Sequence, residues 1–186
     1  MRRLKLLIGA LLALPLLAMP QIAVADPYTD NAAVDELLAQ LRVATSESEA
    51  DDLSSQIWSY WFSPSDKELA RRMTEASYAV RVGDLISALA TLNDVVKDYP
   101  DYAEGWNQRA TVYYMIHNLA ASLADIDKVL AIEPRHYGAL SGRVLIYLQQ
   151  DKHDEALKAM IAALAVHPYL RERKLFPELA QDVTHV

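Results

Sequence analysis

Histidines are the side chains of this sequence best suited to bind a metal ion or to transfer protons near neutral pH. Neither the H-x-x-x-H nor the H-E-x-x-H spacing, which puts two imidazoles on one helix face, occurs among them. A metal site would have to be assembled from separate segments, and histidines near helix C-termini more often contact free carbonyls. We therefore predict no metal site. The five histidines are His117, His136, His153, His167 and His185.

Other arrangements that support catalysis are also absent from the sequence. The chain has no cysteine, which excludes a thiol nucleophile, thiolate metal ligands and disulfides. No G-x-S-x-G motif, phosphate-binding loop or dinucleotide fingerprint occurs. Asp51-Asp52 and Asp125-Ile126-Asp127 fit solvated helix faces better than paired catalytic carboxylates. We expect a protein that is not an enzyme and needs no cofactor; an enzyme with an unrecognised site is the alternative.

The N-terminal stretch has the pattern of a secretory signal peptide. Three positive charges within the first five residues precede an apolar run at 6–18, and Ala23-Val24-Ala25 then offers a small-x-small cleavage site. The apolar run is shorter than the roughly 20 residues of a comfortable bilayer span. We predict a signal peptide at 1–25, export to the periplasm, and no stable membrane span after cleavage. An uncleaved N-terminal anchor is the alternative.

The charge of the chain argues against nucleic acid and anionic lipid as partners. The formal net charge is −7, and removal of a leader with three positive charges would leave −10. An acidic body repels polyanions, so we predict no nucleic-acid binding. A partner with a basic surface remains possible.

Prolines at a fixed spacing show that the chain is built by repetition. Pro100, Pro134 and Pro168 stand 34 residues apart, and each closes a block with the same pattern of small and aromatic residues. This period is typical of a helix-turn-helix solenoid. Proline at the end of the second helix of a block forces the chain to turn. Of the turns between the two helices of a block, only the one with Gly83 offers an easy positive φ. The predicted blocks are 69–102, 103–136 and 137–170.

The middle block carries the clearest resemblance to a known family. It begins with Ala103-Glu104-Gly105-Trp106, continues through Ala110 and Tyr113, and ends at Pro134. This block resembles a tetratricopeptide repeat (TPR), and the flanking blocks match more loosely. With the signal peptide and a helical hairpin before the repeats, the chain is similar to small exported TPR proteins of alphaproteobacteria. The resemblance implies an all-α TPR solenoid of three repeats.

Both ends of the solenoid are predicted to be capped. An N-terminal helical cap is expected at 26–64, where its second helix carries Trp58 and Trp61. We expect these tryptophans to cover the thin first block, where Ala79 stands in place of an aromatic residue; an exposed partner site is the alternative. A C-terminal capping helix is expected at 171–183, with Leu175, Phe176 and Leu179 sealing the last repeat.

The resemblance also implies where a partner would bind. In TPR proteins the first helices of the repeats line the concave face, which would be soft and apolar in part here. Such a surface suits a peptide or a helix; the alternative is that the C-terminal helix covers part of it. A basic clamp for a peptide carboxylate is excluded, because no Lys or Arg stands at the matching positions. The predicted groove residues are Asn107, Gln108, Thr111, Tyr114, Met115, Ser141, Leu145 and Leu148.

Arg109 stands beside this face, and we expect it to pair with Asp125 or Asp127 in a structural role. Taken together, these features predict a periplasmic adaptor or scaffold that binds a protein or peptide partner in its concave groove. The alternative is a structural subunit of an envelope-associated oligomeric complex, which would use Trp58 and Trp61 or the convex face.

Overall fold

The computed structural model describes residues 25–179, which form eight α-helices and no β-strand. This confirms the predicted all-α solenoid. Among these residues, none of the helices is both long and apolar enough to span a membrane. The predicted signal peptide at 1–25 lies outside the described residues except for Ala25 and, like the other domain boundaries, stays a prediction. The helices are α1 (Asn31–Leu41), α2 (Glu47–Phe62), α3 (Lys67–Arg81), α4 (Leu85–Asp98), α5 (Ala103–Met115), α6 (Leu119–Ile132), α7 (Tyr137–Gln149) and α8 (His153–Leu164).

Three helix pairs, α3/α4, α5/α6 and α7/α8, stack in chain order and form the solenoid, with α4 against α5 and α6 against α7. Small residues allow the two helices of a pair to approach closely. In the middle pair Ala110 and Ser122 are both buried, and the Ser122 hydroxyl donates a 2.7 Å hydrogen bond to the Ala110 carbonyl. In the third pair Val144 replaces the small residue and is still fully buried.

The turn within each pair has the same backbone conformation. Gly83, His117 and Asp151, each 34 residues from the next, have φ values of 81°, 60° and 57°. In each turn the following amide donates to a carbonyl five residues back, as in Asp84 to Ala79, which is the Schellman pattern that closes a helix. The repeat geometry therefore imposes a positive φ even where the turn residue carries a Cβ.

The N-terminal hairpin does not cover the first repeat, so the predicted position of its tryptophans is wrong. Trp58 and Trp61 pack on His136 and Tyr137 at the start of α7. The space beside the first repeat is filled instead by Tyr28, which precedes α1 and contacts Tyr99 and Tyr102 edge-on. The helix α2 crosses the side of the solenoid formed by α5 and α7.

The C-terminal segment seals the last repeat with less regular structure than predicted. A 3-10 helix covers Arg171–Leu175, and Pro177 follows soon after, which prevents a regular helix from continuing. Phe176 is buried against α8, where its ring stacks on His153 at 5.7 Å, and Leu179 packs beside it. Leu175 is exposed, contrary to prediction. The part of the predicted capping helix from 180 onward lies outside the described residues.

Candidate functional site

A groove of about 560 Å³ lies between the hairpin and the concave face of the solenoid. Its floor consists of α5, α6 and α7, and its walls are α2 on one side and the turn after α8 on the other. Aromatic and small polar side chains dominate the lining, and its charged residues are Asp51, Arg171 and Glu172. The other lining residues are Ser54, Trp58, Asn107, Ala110, Thr111, Tyr114, Ser122, Ile126, Tyr137, Gly138, Ala139, Ser141, Gly142, Leu145, Ile146, His167, Tyr169 and Leu170.

Five of the eight predicted groove residues line this groove, namely Asn107, Thr111, Tyr114, Ser141 and Leu145. The other three lie elsewhere, and that any of the eight binds a partner stays a prediction. Gln108 donates a 2.7 Å hydrogen bond to Glu104, Met115 is exposed, and Leu148 packs with the core of the third repeat.

The C-terminal segment, which the sequence analysis considered as a cover for the concave face, supplies one wall of the groove. Its residues 169–172 border the groove, whereas α2 forms the opposite wall. The sequence analysis missed this second wall, because the periodicity of α2 shows that one face is buried but not against what.

Aromatic stacking holds the hairpin in place. The Trp61 ring stacks on the His136 imidazole with a centroid distance of 4.0 Å and an interplanar angle of 13°. Trp58 meets His136 and Tyr137 edge-on at 5.6 and 5.5 Å. The hydroxyl of Tyr102 donates a 2.6 Å hydrogen bond to the Trp61 carbonyl, and that of Tyr137 donates one of 3.2 Å to the Ser54 carbonyl. The hairpin is thus fixed by contacts to Tyr102, the last residue of the first block, and to the second and third repeats.

Glycine at position 138 is what allows Trp58 to approach α7. A Cβ at Gly138 would lie 2.6 Å from Cη2 of the indole, which is itself enclosed by aromatic rings. At Gly142, one turn later, the nearest atom is Cδ1 of Ile126 at an ordinary 3.4 Å. The two glycines of α7 therefore differ in whether a side chain would disturb the hairpin.

We expect Gly138→Ala and Gly142→Ala to change stability in opposite directions. Overpacking at 138 costs about 1–3 kcal/mol, more than the gain of up to about 1 kcal/mol from replacing a helical glycine. At Gly142 a Cβ meets no overpacking, so only the gain in stability from replacing a helical glycine applies. Urea unfolding of the two variants measures both effects. Equal midpoints for the two variants would show that Trp58 does not rest on Gly138.

His136 joins three elements through one imidazole. Its Nδ1 accepts the Ala139 amide at 3.2 Å and so caps the N-terminus of α7, which leaves Nε2 as the donor to Glu104 at 3.1 Å. The same carboxylate accepts hydrogen bonds from Asn107 and Gln108. Both His136 and Glu104 are almost fully buried. This network explains why a polar pair is tolerated in the core.

A serine–histidine pair in the groove wall is a feature that the sequence analysis did not foresee. Ser54 Oγ lies 2.9 Å from His167 Nε2, although 113 residues separate them. His167 Nδ1 accepts the Tyr169 amide at 3.2 Å, so the ring proton sits on Nε2 and points at Ser54. In this tautomer the imidazole cannot take the serine proton, which a nucleophilic mechanism requires. The pair ties α2 to the turn after α8.

The burial of His167 predicts a loss of stability in mild acid. Burial lowers its pKa below the usual value of 6.5, although the Asp51 charge acts in the opposite direction. Since the unfolded chain takes up the proton more readily, the contribution is complete above about pH 6.5 and declines as the pH falls through the folded-state pKa. Urea midpoints between pH 7.5 and 5 should fall more steeply for the wild type than for His167→Gln. Parallel slopes would contradict this prediction.

Arg109 has the structural role predicted for it, and its partner is Asp125. The guanidinium binds both carboxylate oxygens at 2.7 and 2.8 Å, and also lies over the rings of Trp106 and Tyr113. Asp127 pairs instead with Arg143. Within residues 25–179, no group of three or more acidic or histidine side chains is arranged to hold a metal ion.

The chain is similar to a TPR repeat-containing protein of Rhizobium etli. The two sequences are 33% identical over 135 residues, which is 73% of this chain and 66% of the relative, or about two thirds of its length. No protein-family model matches the chain. The 34-residue helix pairs, their common turn geometry and this relative lead to one conclusion: the chain belongs to the tetratricopeptide-repeat proteins.

Proposed function

We propose that this protein is a non-enzymatic adaptor that binds a segment of a protein partner in the groove between α2, α5 and α7. The observation that carries the proposal is the open groove, which five of the eight predicted residues line. Its volume of about 560 Å³ falls within the range of sites that enclose a ligand of drug size. It therefore accommodates a short peptide segment or a few anchoring side chains, not a folded domain.

The lining favours a peptide over a charged metabolite. Tyr114 and Tyr169 offer flat amphipathic surfaces, while Asn107, Ser141 and Thr111 stand among apolar residues and suit hydrogen bonds to a main chain. Charge is confined to Asp51, Arg171 and Glu172, of which Asp51 and Arg171 face each other at 3.9 Å and are exposed. Because the buried part of the groove has no charged side chain, an ionised ligand group would lose hydration without gaining a partner.

We also propose that the protein is exported and that the leader is cleaved after Ala25. The first residue after that bond, Asp26, anchors the N-terminus through its side chain and carbonyl: Oδ2 accepts the Ala103 amide at 3.1 Å, and the carbonyl accepts from Asn31 at 2.6 Å. Cleavage would preserve both contacts. N-terminal sequencing of protein from a periplasmic fraction should begin at Asp26; an intact Met1 in the spheroplast fraction would contradict the proposal.

Crosslinking inside cells tests the adaptor function. A photoreactive amino acid at position 114 should capture a discrete partner chain, whereas the same amino acid at exposed Thr74 of α3 should not. Tyr114→Ala should weaken that partner's co-purification. Identical capture from both positions, or none from position 114, would argue against the groove.

The alternative, a structural subunit of an envelope-associated oligomeric complex, receives support in its homo-oligomeric version from one exposed apolar patch. The patch lies at the end of α3 and the start of α4 in the first repeat, and its exposed residues are Tyr78, Val82 and Ile86. Trp58 and Trp61, by contrast, are engaged within the chain. Light scattering at high concentration distinguishes the two functions, because Ile86→Asp should dissociate an oligomer formed through this patch. A monomer at all concentrations removes the homo-oligomeric version.

A further inference from the structure

The helix that occupies the concave face shows which side chains that face accepts. Ser54, Trp58 and Trp61 of α2 contact histidine or tyrosine side chains of the solenoid, and their spacings are four and three residues. These spacings place them on one helix face. A small residue and two aromatic residues at positions i, i+4 and i+7 therefore define the side of α2 that docks.

Each of these positions has a complementary feature on the solenoid. Ser54 meets Nε2 of His167, and its carbonyl accepts the Tyr137 hydroxyl. Trp58 rests over Gly138, where any side chain would intrude on the indole. Trp61 stacks on His136, which Glu104 holds from behind. The receiving surface is built on residues of α5, α7 and the turn after α8, none of which belongs to the hairpin.

The hairpin is attached to the solenoid as a flap. Its two ends meet at one place, where the Ser65 amide donates a 2.9 Å hydrogen bond to the Tyr28 carbonyl. Tyr28 fixes this base against Tyr99 and Tyr102. Beyond the base, residues 63–66 link α2 to α3, and the hairpin is held by the exposed ion pair of Asp51 and Arg171, by the ion pair of Asp35 with Arg135 at 2.6 Å, and by an apolar core that it shares with Tyr137. Lifting the hairpin would break these contacts, whereas the contacts of the helix pairs with one another do not involve the hairpin.

We propose that the partner presents an amphipathic helix with a small residue and two aromatic residues at i, i+4 and i+7, and that this helix takes the place of α2. The inference rests on the proposed function, since it names the partner chemistry of the same groove. The partner enters beside Trp58, where the groove is already open, and binding is completed when its aromatic residues replace Trp58 and Trp61 over Gly138 and His136. The hairpin thus keeps weaker ligands out.

The test uses a labelled synthetic peptide of residues 47–62 as the partner helix and full-length protein as the receptor. The hairpin of the wild type competes within the same molecule, so binding should be weak. Trp58→Ala in the protein weakens the packing of the hairpin on the solenoid and leaves the receiving surface unchanged. The apparent affinity for the peptide then rises with the fraction of molecules in which the hairpin is displaced. We expect peptide affinity to increase at least about tenfold. Tyr60→Ala, an exposed aromatic on the same helix, is the matched control and should behave as the wild type.

Two further arms keep the result interpretable. Circular dichroism establishes that the Trp58→Ala protein retains its helices, and Ser54→Leu, which adds bulk at the small position, provides a second opened variant. A peptide in which both Trp58 and Trp61 are replaced by alanine should bind neither of the two opened protein variants. Equal binding of the two peptides, or no gain in either opened variant, overturns the inference.

The outcomes separate this inference from the adaptor function. If the opened variant forms dimers instead of binding peptide, the occupant is α2 of a second copy, and the partner-helix proposal fails. If the peptide does not bind but position 114 still captures a partner in cells, the adaptor function stands and only the helix chemistry is wrong. If the peptide binds and position 114 captures nothing, the receiving surface does accept a helix but the adaptor function fails.

Discussion

Replacing Trp61 with alanine should lower the free energy of unfolding by about 3–5 kcal/mol, which is the usual cost of deleting a large buried aromatic side chain. The indole is almost completely buried and stacks on His136 at 4.0 Å. Its removal leaves a cavity between the hairpin and α7, and it exposes one face of the imidazole that caps α7. Urea unfolding followed by far-ultraviolet circular dichroism measures the loss.

The control for this prediction stands one residue earlier on the same helix. Tyr60 is 37% exposed, so Tyr60→Ala should change the free energy of unfolding by no more than about 0.5 kcal/mol. A similar small effect for Trp61→Ala would mean that the hairpin does not pack on the third repeat.

The second large effect is expected at His136. Replacing it with alanine should lower the free energy of unfolding by about 3–5 kcal/mol. Three losses combine: the cap of α7, worth about 1 kcal/mol; the stacking with Trp61; and the Glu104 carboxylate left without one of its three donors in a buried place. Thermal unfolding should report the loss as a lower Tm.

His136→Asn separates these contributions. Asparagine is a good N-cap and can accept the Ala139 amide, but it is too short to reproduce the stacking or the bond to Glu104. We expect it to recover about 1 kcal/mol of the loss in His136→Ala. A double-mutant cycle with Glu104→Gln measures the coupling of the pair. Coupling close to zero would show that the His136–Glu104 bond contributes nothing to stability.

The repeats could be predicted because they rest on local rules. The spacing of Pro100, Pro134 and Pro168 fixes the length of a repeat, and the small residues Ala110 and Ser122 mark the close contact within it. The pairing of Arg109 was also predictable, since 16 residues and one short turn bring it to Asp125. Each of these features depends on residues within one repeat, where the geometry of a helix pair leaves few arrangements.

The position of the hairpin could not be predicted from the same rules. Periodicity indicates that Trp58 and Trp61 lie on the packed side of α2, but it does not indicate against which apolar surface they pack. Tyr28, outside any helix, packs against Tyr99 and Tyr102 in the core of the first repeat, and no periodic pattern reveals it. One signal was available: Gly138 lies in the first turn of α7, where glycine is unfavourable unless another group must come close.

The groove likewise has one part that could be predicted from the sequence and one part that could not. The resemblance to TPR proteins implied groove positions for Asn107, Thr111, Tyr114, Ser141 and Leu145, and all five line the groove. The second wall, formed by α2, could not be predicted, because Ser54 and His167 meet only when the hairpin has folded back over the solenoid. Leu148, which the pattern also assigned to the groove, is drawn instead into the core that Phe176 closes.

The central claim, that the N-terminal hairpin crosses the concave face and leaves a groove beside it, can be measured by chemical crosslinking. The chain has no cysteine, so introduced pairs react without background. Asp51→Cys with Arg171→Cys should be joined rapidly within one molecule by a short bismaleimide, because these side chains face each other across the groove. Asp51→Cys with Thr74→Cys on α3 should remain unlinked. Rapid linking of the second pair and none of the first would place the hairpin over the first repeat and contradict this account.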